Sequence, residues 1–155
     1  MMVKSGNHQS TFRACLDELP TICNAVTEAA RMSGMDEKNI WKLEVALDEA
    51  CTNIACYGYK DQNDGKIWMS WRCNNGNFEV QIEDEGVAFD QTQPTSPDFV
   101  SKACDRKPGG FGRYIIREFT DQLRYKRIRG RNVLTMVKKL ACDCESSNSK
   151  ECAIA

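Results

Sequence analysis

Two residues one helical turn apart carry the strongest chemical signal in this chain. They are Glu49 and Asn53, within Trp41-Lys-Leu-Glu-Val-Ala-Leu-Asp-Glu-Ala-Cys-Thr-Asn-Ile-Ala-Cys-Tyr57. At about 100° of rotation per residue they share a stripe with Lys42, Ala46 and Cys56. That stripe lies roughly a third of a turn from an apolar one made of Ile40, Leu43, Leu47, Ala50, Cys51 and Ile54. A solvated face more usually carries Lys, Glu and Gln throughout, so a carboxylate and an amide among small neighbours read as the wall of a half-buried polar site. A partly buried carboxylate can have its pKa raised toward the working pH and act as a general base. An amide oxygen is a hard ligand of the kind magnesium accepts. The plainer alternatives are an i,i+4 polar pair on a helix flank, or an ion pair from Glu49 to Lys42.

Two later stretches bear on that choice. Phe78-Glu-Val-Gln-Ile-Glu-Asp84 alternates like a strand and runs into Asp84-Glu-Gly-Val-Ala-Phe-Asp90. Pro108-Gly-Gly-Phe-Gly-Arg-Tyr-Ile-Ile-Arg-Glu-Phe119 is a glycine cluster opening an apolar helix. Glycines before a helix start suit an anion, because free backbone N–H groups and the positive end of the dipole face it. Either glycine motif alone is weak; their order is informative.

In this order the motifs resemble the ATP-binding fold shared by gyrase, histidine kinases and the MutL repair proteins. Within it the chain is most similar to the small anti-sigma factor serine/threonine kinases of bacterial partner-switching systems. The N-box pattern Glu-x-x-x-Asn is Glu49 to Asn53. The G1 pattern Asp-x-Gly is Asp84 to Gly86, followed by Phe89-Asp90. The G2 pattern Gly-Gly-x-Gly is Gly109, Gly110 and Gly112, with Asp121 and Tyr125 at family-like spacing. Two positions depart from the pattern. Ala88 stands where the full G1 box has a glycine, and Arg113 follows Gly112 where an apolar residue is usual. The similarity runs from about Phe12 to Leu140.

The resemblance implies ATP and Mg²⁺ as cofactors and assigns roles residue by residue. Glu49 is the general base and Asn53 the metal ligand. Asp84 accepts from the adenine amino group, although a turn-initiating Asp before Gly86 is equally good local chemistry. Gly86 lets the backbone approach the base, and the N–H groups of Gly110 and Gly112 donate to phosphates. Arg106 and Lys107 reach the γ-phosphate, or are exposed charges of a lid. Thr52 and Arg113 are weaker candidates.

The elements that position these groups follow from pattern and punctuation. Asp36 is the expected N-cap of the N-box helix, with Glu37 in its first turn and an end near Gly58. Leu19 to Met32 has helical spacing and stops at Gly34. Thr11 to Leu16, Lys66 to Arg72, Phe78 to Glu83, Gln122 to Ile128 and Asn132 to Leu140 read as strands. Asn74-Asn-Gly-Asn77 and Arg129-Gly-Arg131 are hairpin turns. The expected fold class is α+β, a two-layer α/β sandwich with a mixed, mainly antiparallel sheet and helices on one face. Gln91 to Pro108 is long for a plain connection, and by the resemblance it is the lid over ATP. Residues 1–10 read as a flexible N-terminus, 11–140 as the ATPase domain and 141–155 as a disordered tail.

Composition excludes several classes. At 155 residues, 41% hydrophobic and 28% charged, this is one globular domain with a proper core. A net charge of -1 without a dense basic run argues against direct nucleic-acid binding. No apolar run is long enough to span a membrane and no signal-peptide core follows Met1, which predicts a cytoplasmic protein. The nine cysteines include no Cys-x-x-Cys pair, and His8 is the only histidine, so reduced thiols are expected rather than zinc or disulfides.

Three functions are in play. One is a kinase that sequesters a sigma factor and phosphorylates an anti-anti-sigma (STAS-domain) protein on Ser or Thr, as a homodimer, which is what the resemblance implies. Another is an ATP-binding regulatory module without significant kinase activity. The third, a histidine-kinase catalytic fragment, is disfavoured because this sequence shows no phosphoacceptor helix or membrane sensor. Glu49 favours the first.

Overall fold

A computed structural model of the chain describes residues 8–60, 64–93 and 110–141. The first helix, α1 (Leu19–Met32), buries Leu19, Ile22, Cys23, Val26 and Ala30, the positions that helical spacing aligns. It ends before Gly34, whose φ of +95° is left-handed backbone that favours glycine. The second, α2 (Glu37–Asn53), starts at the N-cap Asp36, whose Oδ1 accepts from Asn39 N at 2.8 Å. That bond satisfies one of the N–H groups left without partners at a helix start. Beyond Asn53 the helix widens into one π turn, Ile54–Gly58. The third helix, α3 (Gly110–Phe119), packs on α2.

Five strands form one sheet: β1 (His8–Arg13), β2 (Lys66–Asn74), β3 (Asn77–Asp84), β4 (Gln122–Ile128) and β5 (Arg131–Lys139), in the order β1-β2-β3-β5-β4. Every pairing is antiparallel, so the mixed sheet expected from sequence is corrected to a purely antiparallel one among the described residues. The reason lies in the connections. The hairpins turn through Asn75-Gly76 (φ +50° and +78°) and Arg129-Gly130 (φ +50° and +77°), whose two positive φ values match the twist of antiparallel strands. Between β1 and β2, two packed helices return the chain to the end of the sheet that it left.

The start of β1 also differs from expectation. It spans His8–Arg13 rather than Thr11 to Leu16, so His8, Gln9 and Ser10 belong to the sheet and not to a frayed end. The strand is recruited by its partner: His8 pairs with Trp71 and stacks on its indole at a centroid distance of 4.4 Å. Leu16–Glu18 instead forms a 3₁₀ turn.

One face of the sheet supplies Ile67, Met69, Phe78, Val80, Ile82, Leu134 and Met136 to the core, against Ile22, Val26, Leu43, Leu47, Cys51 and Ile116 of the helices. The expected two-layer sandwich is therefore formed. Each such side chain contributes about 1.5–3 kcal/mol by leaving water, so the helix that carries Glu49 and Asn53 is firmly seated. Cys15, Cys23, Cys51, Cys56 and Cys73 are free thiols, and burial pushes Cys23 up to about 12, which makes it a poor nucleophile. Cys104, Cys142, Cys144 and Cys152 lie outside the described residues, as do residues 1–7, 61–63, 94–109 and 142–155. With them go most of the stretch from Gln91 to Pro108 expected to be a lid and nearly all of the tail expected over 141–155. No described helix is long and apolar enough to cross a membrane.

Candidate active site

Near the end of α2, Glu49 is half-buried and Asn53 is only 4% exposed. The first turn of α3 brings the backbone of Gly112 against both. A Cβ on Gly112 would sit 2.6 Å from Glu49 Oε2 and 3.6 Å from Asn53 Nδ2, so any side chain there would push the Glu49 carboxylate from this position. The N-box and G2 residues thus meet, although they lie far apart in sequence. Gly110 is the first residue of α3. The opening N–H groups of a helix have no intrahelical partners and carry the positive end of its dipole. Burial, and then the neighbouring Asp48, raise the pKa of Glu49 above the ordinary carboxylate value. Among the described residues no ion pair reaches Glu49, so the alternative of a bridge to Lys42 is not formed.

A second cluster forms at the end of β3. Asp84 is 3% exposed, and its Oδ1 accepts from Gly86 N at 2.9 Å and from Asn132 Nδ2 at 3.0 Å. The first of these bonds is the local turn that an Asp before Gly86 suggests. Asn132 is the hub of the cluster. Its Nδ2 also donates to Val87 O at 2.8 Å, and its Oδ1 accepts from Phe89 N at 3.2 Å and from the Tyr125 hydroxyl at 2.6 Å. Burial raises the pKa of Asp84, offset in part by Asn132, the Gly86 N–H and Arg127. Among the described residues Oδ2 of Asp84 receives no hydrogen bond, and a buried acceptor without a partner is rare enough to point to a ligand. The exocyclic amino group of adenine is a donor that fits it.

Gly86 lacks a side chain for a reason that lies within the protein itself. Its Cβ would lie 2.5 Å from Gly58 O in the π turn, and Val87 N donates to that same oxygen at 2.9 Å. The backbone of Gly86 thus lies close against the π turn that follows α2. Between the two clusters runs the segment from Phe89 to Gln91, and Gln91 Oε1 accepts from Asn53 Nδ2 at 3.0 Å. Arg113 stands over the Phe89 ring at 5.5 Å, and Thr52 is partly buried. Arg106 and Lys107 lie outside the described residues. No group of three or more His, Cys, Asp or Glu able to hold a metal occurs among the described residues.

Sequence reasoning missed Asn132 and Gln91. Asn132 did leave a trace, since it shares parity with Leu134 and Met136 and is thus a polar residue on an inward-facing strand stripe. Gln91 left none, because it sits in an aperiodic Gln-Thr-Gln run.

Residues 12–138 match the family model of the histidine kinase-like ATPase domain. The chain belongs to that family. Among relatives of the ATPase domain, serine/threonine-protein kinase BtrW of Bordetella bronchiseptica is 32% identical over 99 residues, 64% of this chain and 70% of that protein. Serine-protein kinase RsbW of Bacillus subtilis is 31% identical over 106 residues, 66% of each chain. The histidine kinase-like fold also superposes on the RsbU and RsbW domains of Rv1364c from Mycobacterium tuberculosis with a TM-score of 0.63 at 17% identity. That match covers 88% of this chain and 33% of the other, and it bears on the fold alone.

Proposed function

We propose that this protein is a Mg-ATP-dependent serine/threonine kinase that silences a sigma factor and phosphorylates an anti-anti-sigma protein carrying a STAS domain. The observation that carries the reading is the convergence of Glu49, Asn53 and the Gly112 backbone at one helix start. Phosphoryl transfer needs little covalent chemistry from a protein; it needs the phosphates held and the acceptor hydroxyl oriented and relieved of its proton. Glu49, with its raised pKa, accepts that proton. The first N–H groups of α3, at Gly110 and Gly112, face the phosphates. Asp84 Oδ2 accepts from adenine and rejects guanine, which offers a carbonyl at the same ring position. Asn53 supplies Oδ1 to Mg²⁺, which when bound neutralises charge on the phosphate oxygens. Arg106 and Lys107 belong to the γ-phosphate in the same proposal.

The similarity to serine/threonine-protein kinase BtrW and serine-protein kinase RsbW supports the reaction class. The sigma factor, the anti-anti-sigma protein, the homodimer and the cytoplasmic location come from the family resemblance. The test is incubation of the purified protein with γ-labelled ATP and a panel of STAS-domain proteins from the same organism. Label is expected on a serine or threonine of one of them, and Glu49→Gln is expected to lower transfer by about 10²-fold while Mg-ATP still binds. Label that persists undiminished in Glu49→Gln removes Glu49 from the mechanism.

A further inference from the structure

Gln91 is 4% exposed, and both ends of its carboxamide are engaged by α2. Oε1 accepts from Asn53 Nδ2 at 3.0 Å, and Nε2 donates to Ala50 O at 3.3 Å. The chemistry of these partners fixes every orientation in the chain of bonds. A backbone carbonyl only accepts, so the end of Gln91 that faces Ala50 must be its NH₂. The end that faces Asn53 is then the carbonyl, which obliges Asn53 to present its NH₂ to Gln91. Asn53 Oδ1 is thereby turned away from Gln91.

A free asparagine carboxamide flips at little cost, and in the flipped form it would offer a cation two N–H donors in place of an oxygen. We propose that Gln91 is a positioning residue that locks Asn53 with its oxygen available as a metal ligand. This rests on the reading of Asn53 above. Groups that orient a metal ligand typically change metal affinity by about 10–100-fold when removed. The lock is held from outside the helix as well. Arg117 of α3 donates to the carbonyl of Thr92, and Phe89 N donates to Asn132, so the segment that bears Gln91 is tied at both ends.

The experiment measures ATP affinity by calorimetry, with Mg²⁺ and again in EDTA, for wild type, Asn53→Ala, Gln91→Met and the double variant. Methionine keeps the length of Gln91 and removes its polarity. Gln91→Met is expected to lower affinity about tenfold in Mg²⁺ and by less than about twofold in EDTA. In the Asn53→Ala background it should add nothing further, because the two residues act as one unit. If Asn53→Ala leaves the Mg²⁺ dependence intact, the reading of Asn53 as a ligand fails. If Asn53→Ala abolishes that dependence and Gln91→Met does not weaken it, the lock alone is overturned. Wild type offers a check that needs no altered fold: in ¹⁵N-labelled protein without nucleotide the Asn53 side-chain NH₂ should exchange slowly with solvent. Exchange at the rate of a free carboxamide would overturn the proposal.

Discussion

Asn132 and Asp84 face each other across β5 and β3, and Asn132 Nδ2 donates to Asp84 Oδ1 at 3.0 Å. The bond engages one oxygen of a buried carboxylate, Oδ1, and the other, Oδ2, is the one proposed to accept from adenine. Removing the donor leaves Asp84 with only the Gly86 N–H on that oxygen and frees Tyr125 and Phe89 N from their shared acceptor. Asn132→Ala is therefore expected to weaken ATP binding by about tenfold, the scale of one lost hydrogen bond to a charged group. Calorimetry with ATP checks this. An unchanged affinity would mean that Asp84 holds its orientation without Asn132.

Gly86 lies so close to Gly58 that the outcome of a single methyl group can be stated. In Gly86→Ala the new Cβ meets backbone, the oxygen and carbon of Gly58 at 2.5 and 2.7 Å, and backbone in a π turn has little freedom to give. The cost is expected to be about 1–3 kcal/mol, as for other overpacked sites. A lowered urea midpoint at constant m-value would report it.

Gly112 is the opposite case. A Cβ there meets the far end of a side chain, Glu49 Oε2 at 2.6 Å, which can swing away. Alanine is also the better helix former, although in the first turn of α3 its gain over glycine stays below the roughly 1 kcal/mol of a helix interior. Gly112→Ala should therefore keep or raise Tm while it displaces the proposed base and lowers phosphotransfer by about 10-fold or more. A matching loss of stability and activity would mean that the helix start, and not the position of Glu49, had been damaged.

Much of this arrangement was legible in the sequence because it is local. The Asp36 cap, the two faces of α2 and the positive-φ hairpin turns each depend on residues within a few positions of one another. The convergence of Glu49, Asn53 and Gly112 was legible only as a resemblance, since no periodicity relates α2 to α3. What escaped was set by pairing between distant segments. His8 joins the sheet because Trp71 is there to receive it, and Asn132 matters because the β3–β5 register puts it opposite Asp84. Gln91 became visible only when its two partners on α2 were seen together.

Glu49 gives a prediction about stability as well as rate. Its pKa is raised in the folded protein, first by burial and then by Asp48, relative to an ordinary value of 4.5. A carboxylic acid with a raised folded-state pKa binds more protons folded than unfolded between the two values, so stability falls as pH rises through that window. Above the folded pKa the full penalty of holding the charge is present. Below the unfolded value both states are protonated and the penalty vanishes. Glu49→Gln removes the charge and keeps the shape, so the variant should be more stable than wild type at neutral pH. The difference should shrink toward zero as pH falls below about 4.5. Glu49 is only half-buried, so solvent screens part of the effect and the gain is modest. Thermal melts of both proteins from about pH 3.5 to 8 would show it. Glu49→Gln should lower phosphotransfer about 10²-fold at neutral pH, a ratio that shrinks as the wild-type carboxylate is protonated at low pH. A variant that is less stable than wild type at neutral pH would mean that the carboxylate is stabilised by a partner, and that a structural role for Glu49 outweighs the strain of burying a base.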